Sequence, residues 1–116
     1  MKYQIGQAAS GIAYMDIIRE FSENGTILKM VLTGDLTFEK NLNFINSYID
    51  IPSKVVKFVV DFKRVNYMDS SALGLLLLMK NFGQENGVTA FELINCNSTV
   101  KGILHVSEFD QLFDIR

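Results

Sequence analysis

Residues 26–33 (TILKMVLT) alternate apolar and polar positions, the two-residue period of a strand with one face buried, and residues 14–21 before them suit a second strand. Between the two, Ser22-Glu23-Asn24-Gly25 is a turn signal, with Asn24-Gly25 supplying the positive φ of a hairpin. Gly34-Asp35 ends the second strand, and the period then changes. Phe38, Leu42, Ile45 and Ile49 recur at spacings of four, three and four, one face of a helix. Thr37 is placed to cap that helix, Glu39 to favour its dipole, and Pro52 to follow its end.

Lys54 to Phe62 (KVVKFVVDF) is short, β-branched and nearly continuous, which predicts a strand covered on both faces, as parallel strands between helices are. A connector over 63–68 leads into a helix reaching about Phe82, with Gly83 to Gly87 ending it. Val88 to Asn95 predicts a strand, Asn97-Ser98-Thr99 opens a helix to Val106, and Phe109 to Phe113 suits a last edge strand. The order is β-β-α-β-α-β-α-β. It predicts one α/β domain over residues 14–116: a mixed, mainly parallel sheet with an N-terminal antiparallel hairpin and helices packed on it. Residues 1–13, with small side chains and Gly6 and Gly11, read as a loosely ordered leader.

Composition narrows the function. A chain of 116 residues, 48% hydrophobic and 21% charged, is sized for one domain with a real core. A net charge of −2 offers no basic field, so nucleic acid is not the expected direct partner. With one cysteine there is neither an intrachain disulfide nor a cysteine-rich zinc site; Cys96 reads as a buried, inert thiol. His105, the only histidine, lies near the end of a predicted helix and suits a capping or surface role. The longest apolar run, Leu75 to Met79, is far too short for a membrane span, and the N-terminus has no signal-peptide core. The expectation is a soluble cytoplasmic protein without cofactor or metal: no phosphate-cradling glycine loop, no nucleophile elbow, no metal-ligand spacing. Asp61 and Asp69 flank a strand-to-helix connection but read as ordinary loop acids.

The chemistry concentrates in residues 66–80, NYMDSSALGLLLLMK, where a carboxylate and two hydroxyls open an otherwise apolar helix. Either Asp69 or Ser70 makes a good N-cap, which accounts for one of the three polar residues. The helix also has more apolar positions than one stripe needs. Leu73, Leu76, Leu77 and Lys80 lie along one side, Leu75, Leu78, Met79 and Phe82 along another. The surplus is either extra burial or an apolar patch left for a partner.

Tyr67 to Leu76 (YMDSSALGLL), following the strand VVKFVVDF, resembles the signature of the STAS domain and, more narrowly, of single-domain anti-anti-sigma factors (anti-sigma factor antagonists). The LTGDL turn at Leu32 to Leu36 and STVKGILHVS at Ser98 to Ser107 extend the resemblance from about residue 15 to the C-terminus. Ala72 stands where the family commonly has glycine, and Thr37 where it often has aspartate. The resemblance implies that Ser70, directly after the aspartate, accepts a phosphoryl group from an anti-sigma factor with serine kinase activity. A metal-dependent serine phosphatase would remove it. The unphosphorylated domain would bind the anti-sigma factor and free a sigma factor, so the domain is a substrate, not an enzyme. The docking surface is then expected around Ser70, from Thr37, Met68, Asp69, Ser71 and Ala72, with Leu75 and Met79 outward on the helix. The rival reading is a non-switching STAS scaffold subunit of a signalling or lipid-transport complex, its hydroxyls serving only as caps and contacts.

Overall fold

The computed structural model describes residues 2–5 and 16–116. Its strands are β1 (Lys2–Ile5), β2 (Asp16–Phe21), β3 (Ile27–Thr33), β4 (Lys57–Arg64), β5 (Ala90–Ile94) and β6 (Asp114–Ile115). Its helices are α1 (Asn41–Asn46), α2 (Ser71–Glu85) and α3 (Ser98–Val106), and 3-10 turns at Phe38–Lys40 and Phe109–Gln111 precede α1 and β6. The strands form one sheet in chain order, antiparallel from β1 to β3 and parallel from β3 to β6. This is the expected mixed α/β architecture with one more strand. Residues 2–5, read as leader, pair with β2 from Lys2↔Glu20 to Ile5↔Ile17. Of the strand predicted over 14–21, Tyr14 and Met15 lie outside the described residues.

Each local rule can be traced to its atoms. At the β2–β3 turn Gly25 takes φ +74°, while the Asn24 carboxamide oxygen accepts from the Ser22 hydroxyl and from the Thr26 amide and hydroxyl. Leu28, Met30 and Leu32 of β3 and Phe58, Val60 and Phe62 of β4 point into one core with the buried sides of all three helices. The other face of β4 carries Val59 and Asp61, both buried, while the buried sides of the three helices join the core on the first face. There the Lys29 ammonium stands 3.5 Å from Asp61 and that of Lys57 3.5 Å from Glu92. As the sequence predicts, β4 is buried on both faces, Val59 and Asp61 being 7 and 5% exposed, and long charged side chains contribute to the second face. On the core face of β2, Arg19 is buried. It pairs with Asp50 at 2.8 Å and lies over the Phe21 ring, so its charge is not left bare.

Three further element readings change. The stripe Phe38, Leu42, Ile45 and Ile49 is not the buried side of the first helix: Phe44, Ser47 and Tyr48 are buried, and Phe38, Leu42 and Ile49 are exposed. The 3-10 turn before α1 shifts the phase. It lets Tyr48 reach the rings of Phe44, Phe58 and Phe82 at centroid distances of 5.4 to 6.0 Å. Second, α2 runs through Gly83, where a Cβ would come within 2.7 Å of the Phe91 ring, and stops at a Schellman motif. In that motif the Val88 amide bonds the Gly83 carbonyl, and Gly87 takes φ +88°. Third, Phe109 to Phe113 is not a strand. Phe109 and Phe113 both enter the core four residues apart, with the Phe113 amide bonded to the Phe109 carbonyl, which is a helical spacing. The edge strand follows as β6.

Candidate functional site

The loops leaving the carboxyl ends of β3, β4 and β5 meet at one end of the sheet, the usual place for function in parallel α/β folds. The chain leaving β4 is pinned by two buried side chains, Val65 and Met68. From one side Leu36 forms a parallel bridge with Met68: its amide bonds the Tyr67 carbonyl and its carbonyl accepts from the Asp69 amide. The Asp35 carboxylate accepts from the Tyr67 amide at 3.1 Å. From the other side the Asn97 amide group donates to the Val65 and Asn66 carbonyls, while its oxygen caps α3 through the Val100 amide. The segment that presents Asp69, Ser70 and Ser71 is thus held by both neighbouring loops.

Within it the three polar residues divide their work. Asp69 is the cap of α2. Its carboxylate accepts from the Ala72 amide at 3.2 Å and from the Ser71 hydroxyl, so Ser71 secures the cap. Ser70 caps nothing and is exposed on the first turn. The choice that the sequence left open between Asp69 and Ser70 falls to Asp69, and the second hydroxyl is explained as well.

The expected docking residues separate. Ser70 is exposed and Asp69, Ser71 and Thr37 are partly buried, but Met68, Ala72 and Met79 are fully buried and Leu75 is 4% exposed. Leu75 and Met79 therefore do not face outward. With Ala72, Leu76 and Gly83 they form the side of α2 that packs on the sheet. Thr37 does not cap by its side chain: the chain enters a 3-10 turn, and the Thr37 hydroxyl oxygen is buried without a hydrogen-bond partner.

The outward side of α2 carries Ser70, Gly74, Leu77, Leu78 and Asn81. A groove with Ser71, Gly74 and Leu75 along it runs between Phe38 and the pair Leu77 and Leu78. A second groove, between Leu73 of α2 and Gly102, Ile103 and Val106 of α3, has Ser70 at its edge. Sequence reasoning missed Phe38, Leu42, Leu77 and Leu78 as surface residues. The signal was there in Ala72 and Gly83: small residues eleven apart mark the side of a helix pressed closest to its sheet.

Other chemistry at this end is occupied. Asp61 accepts from the Lys63 amide and the Asn95 side chain. Burial pushes the Cys96 thiol up to about 11, with Lys101 opposing and Asp61 adding to the rise, so it stays a protonated, unreactive thiol. His105 is exposed, 3.9 Å from Asp110. No helix among the described residues is long and apolar enough to cross a membrane.

Comparison with known proteins agrees with this geometry. The STAS domain family profile matches residues 19–116. A STAS-domain containing protein of Pseudomonas aeruginosa (strain UCBPP-PA14) is 37% identical over 95 residues, covering 81% of this chain and 92% of that protein. Among solved structures, an anti-sigma-factor antagonist (STAS) domain protein from Planctomyces limnophilus superposes with a TM-score of 0.70 at 14% identity, over 89% of each chain. The anti-sigma factor antagonist SpoIIAA in its unphosphorylated form gives a TM-score of 0.55 at 16% identity, over 83% of this chain and 96% of its own. At such identities these two share the fold. On the profile match and the Pseudomonas relative, the chain belongs to the STAS domain family.

Proposed function

We propose that this protein is an anti-sigma factor antagonist whose binding is switched by phosphorylation of Ser70. One observation carries the reading: Ser70 is the hydroxyl of the Asp-Ser-Ser segment that has no task in the fold, exposed on a turn held rigid from both sides. The solved structural neighbours that bear the name of anti-sigma factor antagonists, one of them described in an unphosphorylated form, support it. The domain supplies the acceptor. Its Ser70 oxygen attacks the terminal phosphorus of ATP held by an anti-sigma factor kinase, the bond to ADP breaks, and the hydroxyl proton leaves to solvent or the kinase. A metal-dependent serine phosphatase reverses the switch by hydrolysis.

A phosphate at this position gains from the positive end of the α2 dipole and adds a charge of about −1.5 to −2 beside Asp69. It changes the surface without needing to change the fold. The test is to treat the purified protein with the ATPase-class anti-sigma factor kinase of its own genome and ATP, then map the modification by mass spectrometry. One phosphate on Ser70, absent from Ser70→Ala, is the expected result. Phosphate on Ser71 would overturn the site, and an unmodified protein would favour a non-switching scaffold.

A further inference from the structure

Among the described residues, the glycines have visible reasons, with two exceptions. Gly25, Gly34 and Gly87 have positive φ, and Gly83 lies against Phe91. Gly74, the fourth residue of α2, has neither: a Cβ placed there would meet nothing within 4 Å. Glycine at an exposed helix interior weakens the helix relative to alanine, so the free domain would be more stable without it. Gly102 of α3 is equally open, but the exposed side of its helix includes Lys101 and His105. The exposed side of α2 from residue 70 to 81 holds no charge at all. Its one cation, Lys80, is folded back over the Phe91 ring.

That uncharged face is continuous with Ser70 and borders the groove whose opposite wall is Phe38. Phe38, Leu42, Leu77 and Leu78 are 62, 69, 41 and 53% exposed. Together they leave about 400 Å² of apolar surface open, a patch of the size that is often functional on a monomer. A stable dimer covers about 800 Å² on each partner, so this face suits a transient complex over a permanent second copy.

We infer that Gly74 is kept as glycine for the complex: a helix of the anti-sigma factor crosses α2 there at close approach, with a large apolar side chain in the groove between Phe38 and Leu78. This deepens the proposed function and rests on it. Small residues let helix backbones come closer than the 8–10 Å axis separation set by ordinary side chains, and the missing Cβ is the space required. A groove between two helical elements, with a glycine along it and leucines along one wall, has the shape that receives an amphipathic helix.

The test compares wild type, Gly74→Ala and Gly102→Ala for melting temperature and for affinity. The probe is the purified anti-sigma factor kinase loaded with a non-hydrolysable ATP analogue, so that no phosphate is transferred. Both alanine variants should melt a few degrees higher. Gly74→Ala should bind at least tenfold more weakly, and Gly102→Ala should bind as wild type does. Unchanged affinity of Gly74→Ala, or a lower melting temperature for it, would overturn the inference while leaving the proposed function standing. Equal weakening by Gly102→Ala would overturn the assignment to α2. A wild type that does not bind the kinase would overturn the proposed function and this inference with it.

Discussion

A residue's role here follows from which of its neighbours has already taken the structural work. Asp69 caps α2 and Ser71 holds Asp69, so a change at Ser70 has little in the fold to disturb. Ser70→Asp should therefore melt within a degree or two of wild type. The α2 dipole gains about 0.3–1 kcal/mol from the new charge, and repulsion from Asp69, weakened by solvent, works against it. In the proposed complex a docked partner would exclude that solvent, and an unpaired charge buried there costs several kcal/mol. Affinity for the anti-sigma factor should fall by a factor on the order of a hundred, about 2.7 kcal/mol, while Ser70→Ala binds normally. Calorimetric titration of both variants checks this; equal affinities would rule out an electrostatic switch. The motif itself, its place after a strand and the presence of a cap were legible in the sequence. The division of labour among the three side chains was not, because any of several oxygens can reach an orphan amide and only the backbone path decides which one does.

At the scale of the element, α2 separates two substitutions that look alike in the sequence. Leu75→Glu buries a carboxylate in the core and should lower stability by about 3 kcal/mol or more. Leu78→Glu, half exposed, should leave melting nearly unchanged and weaken partner binding. Thermal melting and a binding assay on the two proteins decide it; if Leu78→Glu binds normally, the apolar face is not the docking face. The run of four leucines fits any phase of the helix, so hydrophobic periodicity could not orient it. In α1 the periodicity misled, because a 3-10 turn rotates the chain and the aromatic rings of Phe44 and Tyr48 fill the core better than the aliphatic stripe does. Where cap chemistry and pattern agreed, as at Asn97 and α3, the boundaries are those expected.

For the whole molecule, burial of two weak acids sets a limit at alkaline pH. Burial pushes Tyr48 up to about 12 and Cys96 up to about 11, from ordinary values of 10.0 and 9.0. Below about pH 9 both groups are protonated in the folded and the unfolded chain. As pH rises further the unfolded chain loses those protons first, so stability declines through the window from 9 to 12. Tyr48→Phe and Cys96→Ala should each flatten that decline, measured as melting temperature against pH; curves parallel to wild type would show that these groups do not contribute. The fold class was readable because alternation, period and turn residues pointed the same way along most of the chain. β1 escaped because four residues carry too little pattern for an edge strand, which needs a neighbour to exist at all.

The order of the sheet has a consequence for how the molecule is made. Every strand pairs with the strand that precedes it in the chain, from β1 to β6, so none has to be inserted between two others already joined. The chain can be assembled at one growing edge as it leaves the ribosome. The β2–β3 hairpin closes over a short turn, and each later strand returns through its helix to the edge left by the last. Short loops close fast, and the entropy of each closure is recovered before the next begins. With right-handed crossovers repeated in one direction, all three helices fall on the same side of that advancing edge. The loops that frame Ser70 then come from three successive additions, and its turn is complete only when Asn97 arrives with α3. A nascent chain therefore offers no finished Ser70 turn until most of its length has been synthesised.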